Sequence, residues 1–159
     1  MSLFYESFKR SRFIGSTKEG TIFELTLLAI LLVSCGFGFY LARHCDGQVA
    51  LHFNLTGEVT RWGSVKDVYK ETILTSFIAI FVMLCAYAPN SIHMIVPART
   101  PRQVALKVRA ARVVALVLGF LPLVLTLAMT RQVLLPVILL VAVVLVVVSV
   151  FAVMIYRSE

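Results

Sequence analysis

The chain has 159 residues, of which 60% are hydrophobic and 14% are charged, and its formal net charge is +7. Soluble domains carry about a quarter charged residues, so this composition excludes a water-soluble domain with one apolar core. The excess of basic residues follows the flanks of apolar segments, as membrane orientation requires, so it does not indicate a nucleic-acid partner.

Four apolar segments, at residues 25–42, 73–88, 113–130 and 134–155, contain no charged side chain. A helix of about 20 residues spans the hydrocarbon core of a bilayer, and a helix pairs its backbone groups within one segment. We therefore expect an all-α integral membrane protein with four transmembrane helices. No signal-peptidase site follows the first segment, which is predicted to be a retained helix.

These segments divide the chain into three predicted regions. Residues 1–20 form a basic terminus, either an interfacial segment with aromatic rings at headgroup depth or a frayed end. Residues 21–97 form two helices joined by an outer loop at residues 43–71. Residues 98–159 form a basic loop followed by a transmembrane hairpin.

The lysines and arginines between the segments predict the orientation. After four crossings both termini share a side with the loop at residues 89–112, and that side has ten basic residues against five on the other. Cytoplasmic loops are enriched in Lys and Arg, so both termini are predicted to be cytoplasmic and the loop at residues 43–71 to face outward. The ten are Lys9, Arg10, Arg12, Lys18, Arg99, Arg102, Lys107, Arg109, Arg112 and Arg157.

The first predicted helix has two notable polar features. Thr21 and Glu24 have the spacing of a capping box, which predicts that the helix begins there. Glu24 is also the acidic residue closest to a membrane segment, so a role in proton or ion movement is an alternative to capping. Ser34 and Gly38 have the small-residue spacing that allows two helices to approach closely in lipid.

Basic residues and prolines mark the second half of the chain. A short basic helix is predicted before the third apolar segment, and its cations are either lipid-facing or ordinary orientation signals. Pro122 is predicted to kink the third helix, whereas Pro136 lies in the first turn of the fourth helix, where proline is tolerated. The predicted lipid-facing basic residues are Arg102, Lys107, Arg109 and Arg112.

The outer loop has a strand-like pattern between residues 48 and 55. Val49, Leu51 and Phe53 alternate with Ala50 and His52, and alternation with a period of two predicts a strand with one apolar face. Residues 55–58 then predict a turn, and residues 59–62 a short return strand that ends at Trp62. We expect a small ordered cap over the helix ends, with Trp62 at interface depth.

His52-Phe-Asn54, Gly57-Glu58 and Trp62-Gly63-Ser64, with Lys66 nearby, resemble the motif of the SdpI-type immunity protein family. The resemblance covers about residues 22–97, and the motif lies within residues 49–66. It implies a two-helix module of the bacterial cytoplasmic membrane with an immunity- or sensor-like role. The candidate residues for binding a ligand or partner are His52, Asn54, Gly57, Trp62, Gly63, Ser64 and Lys66.

Some residues of the loop are of the types found in metal sites and active sites. His44, Cys45, Asp46 and His52 are metal-donor types, but their spacing matches no standard zinc pattern, so no metal or cofactor is expected. No nucleophile with a base and an orienting residue is recognisable, so no enzyme is expected. The alternative to recognition is that His52 and Asn54 hold the shape of the loop. The three cysteines predict no internal disulfide.

Three functions remain for the whole chain. The first is a non-enzymatic membrane protein whose outer loop recognises a peptide, a lipid or a membrane-protein partner. The second is a small accessory subunit of a larger membrane complex, because four apolar helices without a polar pathway suit packing against a partner. The third, ranked below these, is a small transporter that uses Glu24. A homo-oligomer is compatible with each of them.

Overall fold

The computed structural model describes residues 17–54, 56–89 and 100–158. A two-stranded antiparallel sheet lies between the first two helices, and four helical segments are long and apolar enough to cross a membrane. These findings confirm the four predicted helices and the strand-like loop. The elements are α1 (Lys18–Arg43), β1 (Val49–Phe53), β2 (Val59–Gly63), α2 (Val65–Cys85), α3 (Pro101–Leu118), α4 (Leu121–Arg131) and α5 (Leu135–Tyr156).

Some sequence predictions fall outside the described residues. They are the interfacial or frayed segment at residues 1–16, the part of the basic loop at residues 90–99, and Leu55 in the predicted turn.

The bundle has two chemically different ends. Glu19 of α1 contacts Arg109 of α3, and Gly38 further along α1 lies against Thr126 of α4, so α1 runs parallel to α3 and α4. We call the end with the β1–β2 hairpin and residues 132–134 the hairpin end. The opposite end, where α1 and α3 begin and α5 finishes, is the basic end.

Helix α1 begins one turn earlier than its sequence predicts. Thr17 is the N-cap, and its Oγ1 accepts a hydrogen bond from the Gly20 amide at 3.0 Å. Thr21 therefore lies inside the helix, and the predicted Thr21–Glu24 capping box is wrong because Thr17 already caps this end. Glu24 instead accepts a hydrogen bond from the Tyr87 hydroxyl at the end of α2.

Small and hydroxyl-bearing residues bring α1, α2 and α4 together towards the hairpin end. Ser34 and Gly38 are buried in α1, and a β-carbon on Gly38 would lie 3.2 Å from Thr126 Oγ1. Thr126 and Thr72 of α2 also approach, with 3.2 Å between their hydroxyl oxygens. The small side chains thus permit the close approach that their spacing predicts.

The third predicted helix is interrupted next to Pro122, where the sequence predicts a kink. Helix α3 ends at Leu118 and α4 begins at Leu121. Pro122 explains this position, because proline has no amide proton and its ring crowds the carbonyl four residues earlier, which belongs to Leu118. The predicted short basic helix before residue 113 is the first part of α3 itself. The third candidate membrane span therefore covers residues 101–131, that is, α3 and α4 together.

The hairpin is anchored to the helices by a small apolar core. Ala42 of α1, Val49 of β1, Val68 of α2 and Met129 of α4 are buried together. Helix α5 differs, since Ile155 is the one residue within it that is buried. The hairpin is thus part of the packed bundle, whereas most of α5 presents apolar side chains outward.

Candidate functional site at the hairpin end

The turn between β1 and β2 is organised by Asn54. Its Oδ1 accepts hydrogen bonds from the Thr56 amide at 3.1 Å and the Glu58 amide at 2.8 Å, while its Nδ2 donates to Glu58 Oε2 at 2.8 Å. Gly57 follows with a φ of 86°, a conformation that glycine adopts without steric cost. Asn54 and Gly57 therefore shape the turn directly.

His52 joins the two strands through its side chain. Its Nδ1 lies 2.6 Å from Thr60 Oγ1, across the hairpin. The side chain is exposed, and the neighbouring register is irregular between Ala50 and Phe53. Each strand has one extra residue at these register shifts. Val49 and Ala50 are both buried although they are adjacent, so both faces of β1 are covered at its start and the predicted alternation does not hold there.

Gly63 and Ser64 join β2 to α2. A β-carbon on Gly63 would lie 2.6 Å from Leu51 Cγ and 2.9 Å from Asp67 Oδ2, so this position has no room for a side chain. Ser64 is the N-cap of α2, and both its amide and its hydroxyl donate to Asp67 Oδ2, at 2.9 and 3.1 Å. The Gly-Ser pair fixes the angle at which the hairpin meets α2.

Trp62 and Lys66 are exposed motif residues whose side chains make no hydrogen bond among the described residues. The Trp62 side chain is 45% exposed, and Lys66 is exposed in the first turn of α2. The motif therefore divides into residues whose contacts shape the hairpin and its junction with α2, and two exposed residues without such contacts.

A cavity of about 420 Å³ opens beside the hairpin. Ala50, Leu51 and Phe53 of β1 line one wall, and the ends of α4 and α5 line another. This volume lies within the range of ligand pockets, about 300–1,000 Å³. The helical wall consists of Leu125, Ala128, Met129, Leu134 and Val137.

Three charged side chains face the same cavity. Arg61 comes from β2, while Asp67 and Glu71 lie one turn apart on α2. Asp67 is engaged by Ser64 and by Lys70, whose Nζ lies 3.3 Å away. No hydrogen bond to the carboxylate of Glu71 or to the guanidinium of Arg61 occurs within residues 17–54, 56–89 and 100–158.

These charged residues are absent from the motif that the sequence singles out. Asp67 and Glu71 have the i, i+4 spacing that places two side chains on one helical face. From this spacing the sequence could have predicted that their carboxylates lie near each other. Their proximity to Arg61 and to α4 depends on the packing of the hairpin. Sequence spacing alone does not give that arrangement.

The predicted lipid-facing basic residues have unequal surroundings. Arg102 and Arg109 are exposed and Lys107 is half-buried. The Arg109 guanidinium binds both carboxylate oxygens of Glu19, with Nε to Oε1 at 2.8 Å and Nη2 to Oε2 at 3.2 Å. Arg112 departs from the expected surface position, because its side chain is only 4% exposed. Because Gly20 has no side chain, the guanidinium of Arg112 fits against α1 at this position.

Cysteines and metal donors add little to the site. Cys35, Cys45 and Cys85 are all free thiols. Among the residues that the structure describes, no group of three His, Cys, Asp or Glu side chains is arranged to hold a metal ion.

No family model, no curated protein and no solved structure matches this chain. The resemblance to the SdpI-type family therefore remains a prediction from the motif residues.

Proposed function

We propose that the chain is a non-enzymatic, multi-pass protein of a bacterial cytoplasmic membrane that recognises a peptide segment at its outward-facing hairpin end. The cavity beside β1 and β2 is the observation that carries this proposal. The SdpI-like motif supports an immunity- or sensor-like role, and the distribution of Lys and Arg supports cytoplasmic termini.

The chemistry of the cavity favours a peptide over a whole lipid. Its apolar walls suit an apolar side chain, and about 420 Å³ is near the lower limit of ligand pockets. Asp67 is paired with Lys70, whereas the carboxylate of Glu71 has no partner among the described residues, so Glu71 can bind a basic side chain or a free amine of the ligand. A peptide segment supplies both features within a few residues.

A photo-crosslinking experiment tests this proposal. The photoreactive amino acid benzoylphenylalanine replaces Phe53, which lines the cavity, in the full chain in native membranes. The same replacement at Phe77, which is 63% exposed in the middle of α2, is the control for lipid contact. We expect a peptide or protein adduct at position 53 that decreases at least about tenfold when Glu71→Gln is added, the loss typical of a charged contact.

The adducts at the two positions decide the outcome. Peptide adducts at position 53 alone support the proposal. Lipid adducts of the same composition at positions 53 and 77 would show that lipid fills the cavity and would contradict it.

Helix α5 favours a second function, that of an accessory subunit. Its apolar side chains are exposed over most of its surface, and Ile155 is the one buried residue within it. A larger membrane protein or the lipid itself can cover this surface. Extraction in mild detergent followed by mass measurement separates the two: a partner at fixed stoichiometry, lost on Leu145→Arg, supports the subunit role.

A further inference from the structure

Arg112 is a buried cation at the basic end. Its side chain is 4% exposed, and its Nε has no hydrogen-bond partner among the described residues. Arg109 binds both oxygens of the nearby Glu19 carboxylate and lowers its pKa, and Arg112 is close enough to help lower it, so two guanidinium groups share one carboxylate. Burying a charged group without a partner is costly, so we expect an anion to bind beside the Arg112 guanidinium.

The guanidinium of Arg112 lies against the first turn of α1. A β-carbon on Gly20 would lie 2.6 Å from Arg112 Nη2 and 3.2 Å from its Cζ. Below it, the ring of Phe23 lies 6.0 Å from the guanidinium carbon. The absence of a side chain at Gly20 therefore creates the space that the guanidinium occupies.

The start of α1 adds a second positive element to the same place. The amide of Gly20 is satisfied by Thr17, but the first amides of a helix have no acceptor within the helix itself. Those at Lys18 and Glu19 belong to this class, and the helix dipole makes this end partially positive. The one acidic side chain in this first turn, that of Glu19, faces two guanidinium groups and the positive end of the helix dipole, so an added anion is favourable here.

The depth of this site matches the headgroup region of a bilayer. The uncharged segment of α1 starts at residue 25 and that of α3 and α4 at residue 113, so Gly20 and Arg112 lie just outside both. Phosphate groups lie at this boundary in a membrane. Glu24, one turn further along α1, accepts a hydrogen bond from the hydroxyl of Tyr87.

We propose that Arg112 and the first turn of α1 form a binding site for a phosphate group, which comes from an anionic phospholipid or from free phosphate. Arg112 supplies the guanidinium donors, and the amides of Lys18 and Glu19 supply the helix N-terminus. This site is at the opposite end from the cavity, and it is independent of the proposed peptide recognition.

Binding is measured on the purified full chain in neutral detergent, with phosphatidylglycerol and inorganic phosphate as separate probes. Arg112→Gln removes the cation, and Gly20→Ala displaces the guanidinium while keeping the charge. Arg102→Gln, at an exposed position of the same helix, and Gly36→Ala, where a β-carbon has nothing within 4 Å, are the matched controls.

We expect at least one probe to bind about fivefold more weakly to both site variants than to the unmodified chain and both controls, as for loss of one cation near an anionic surface. An effect seen with phosphatidylglycerol alone identifies the lipid headgroup, and an equal effect with inorganic phosphate identifies the free ion. Unchanged affinity of Gly20→Ala for both probes overturns the proposal, even if Arg112→Gln fails to fold. Absence of binding to the unmodified chain also overturns it.

Discussion

The two ends of the bundle satisfy their polar groups in different ways. At the hairpin end, the side chain of Asn54 is hydrogen-bonded to Glu58, and that of His52 to Thr60, within the same hairpin. At the basic end, the buried Nε of Arg112 has no partner among the described residues. The polar motif therefore mainly forms the framework of the hairpin, whereas Arg112, which the sequence predicts to be a lipid-facing surface cation, is buried and has an unpaired Nε among the described residues.

This comparison shows where binding chemistry is found in such a chain. Side chains bonded to one another within the hairpin have little capacity left for a ligand. Arg61 and Glu71, which line the cavity, and Arg112 at the other end retain that capacity. The residues with unpaired polar groups, which can still bind a ligand, are therefore different from the residues of the sequence motif.

The largest predicted effect comes from Gly63→Ala, which tests the fixed framework of the hairpin. The added β-carbon meets Leu51 and Asp67, so we expect the hairpin to lose about 1–3 kcal/mol of local stability, the usual cost of overpacking. Hydrogen exchange of residues 49–63 in nanodiscs measures this loss. Gly36→Ala is the control, and equal exchange in the two variants would contradict the close contact.

Asn54→Ala is predicted to have the next largest effect. It removes four hydrogen bonds that hold the turn, and we expect a loss of about 1 kcal/mol because the freed groups are exposed to water. Exchange of the amides at residues 56–58 should accelerate, while Lys66→Ala leaves it unchanged. Identical exchange in both variants would mean that Asn54 does not organise the turn.

His52→Ala should have a smaller effect than Asn54→Ala. It removes one contact, with Thr60, and a single exposed hydrogen bond contributes about 0.5–1 kcal/mol. The same exchange measurement reports it, and Thr60→Val should cost at least as much, because it removes this contact and also the bond from the Thr60 hydroxyl to the His52 carbonyl oxygen at 3.3 Å. A loss as large as that of Gly63→Ala would assign His52 a role beyond this contact.

Arg109→Ala is predicted to have the smallest effect, and it sharpens the contrast with Arg112. Its pair with Glu19 is exposed on both sides, and such surface pairs contribute less than about 1 kcal/mol. Thermal unfolding in detergent should shift little for Arg109→Ala. A shift as large as that of Arg112→Ala would remove the distinction between the two arginines.

The sequence predicts the helices and the hairpin because both depend on local patterns. Uncharged segments of sufficient length specify the four helical spans, and alternation between residues 49 and 53 specifies β1. The sequence does not decide where α1 begins, because Thr17 and Thr21 both have a hydroxyl that can cap a helix. In the structure, Thr17 is the N-cap residue.

Tertiary contacts explain what the sequence could not predict. The cavity depends on how β1 packs against α4 and α5, which are distant from it in the chain. The burial of Arg112 depends on the missing side chain of Gly20, 92 positions earlier. Neither relationship leaves a local pattern, and the expected surface position of Arg112 followed from its charge alone.

Cysteine labelling across the membrane tests most directly the claim that the two ends act on opposite sides. Thr56→Cys, in the turn, and Arg102→Cys, at the start of α3, are each made in a chain whose three native cysteines are replaced by alanine. An impermeant maleimide added to intact cells should label position 56 at once, and position 102 only after permeabilisation. Labelling of both positions from the same side, or of position 102 alone in intact cells, would contradict the account.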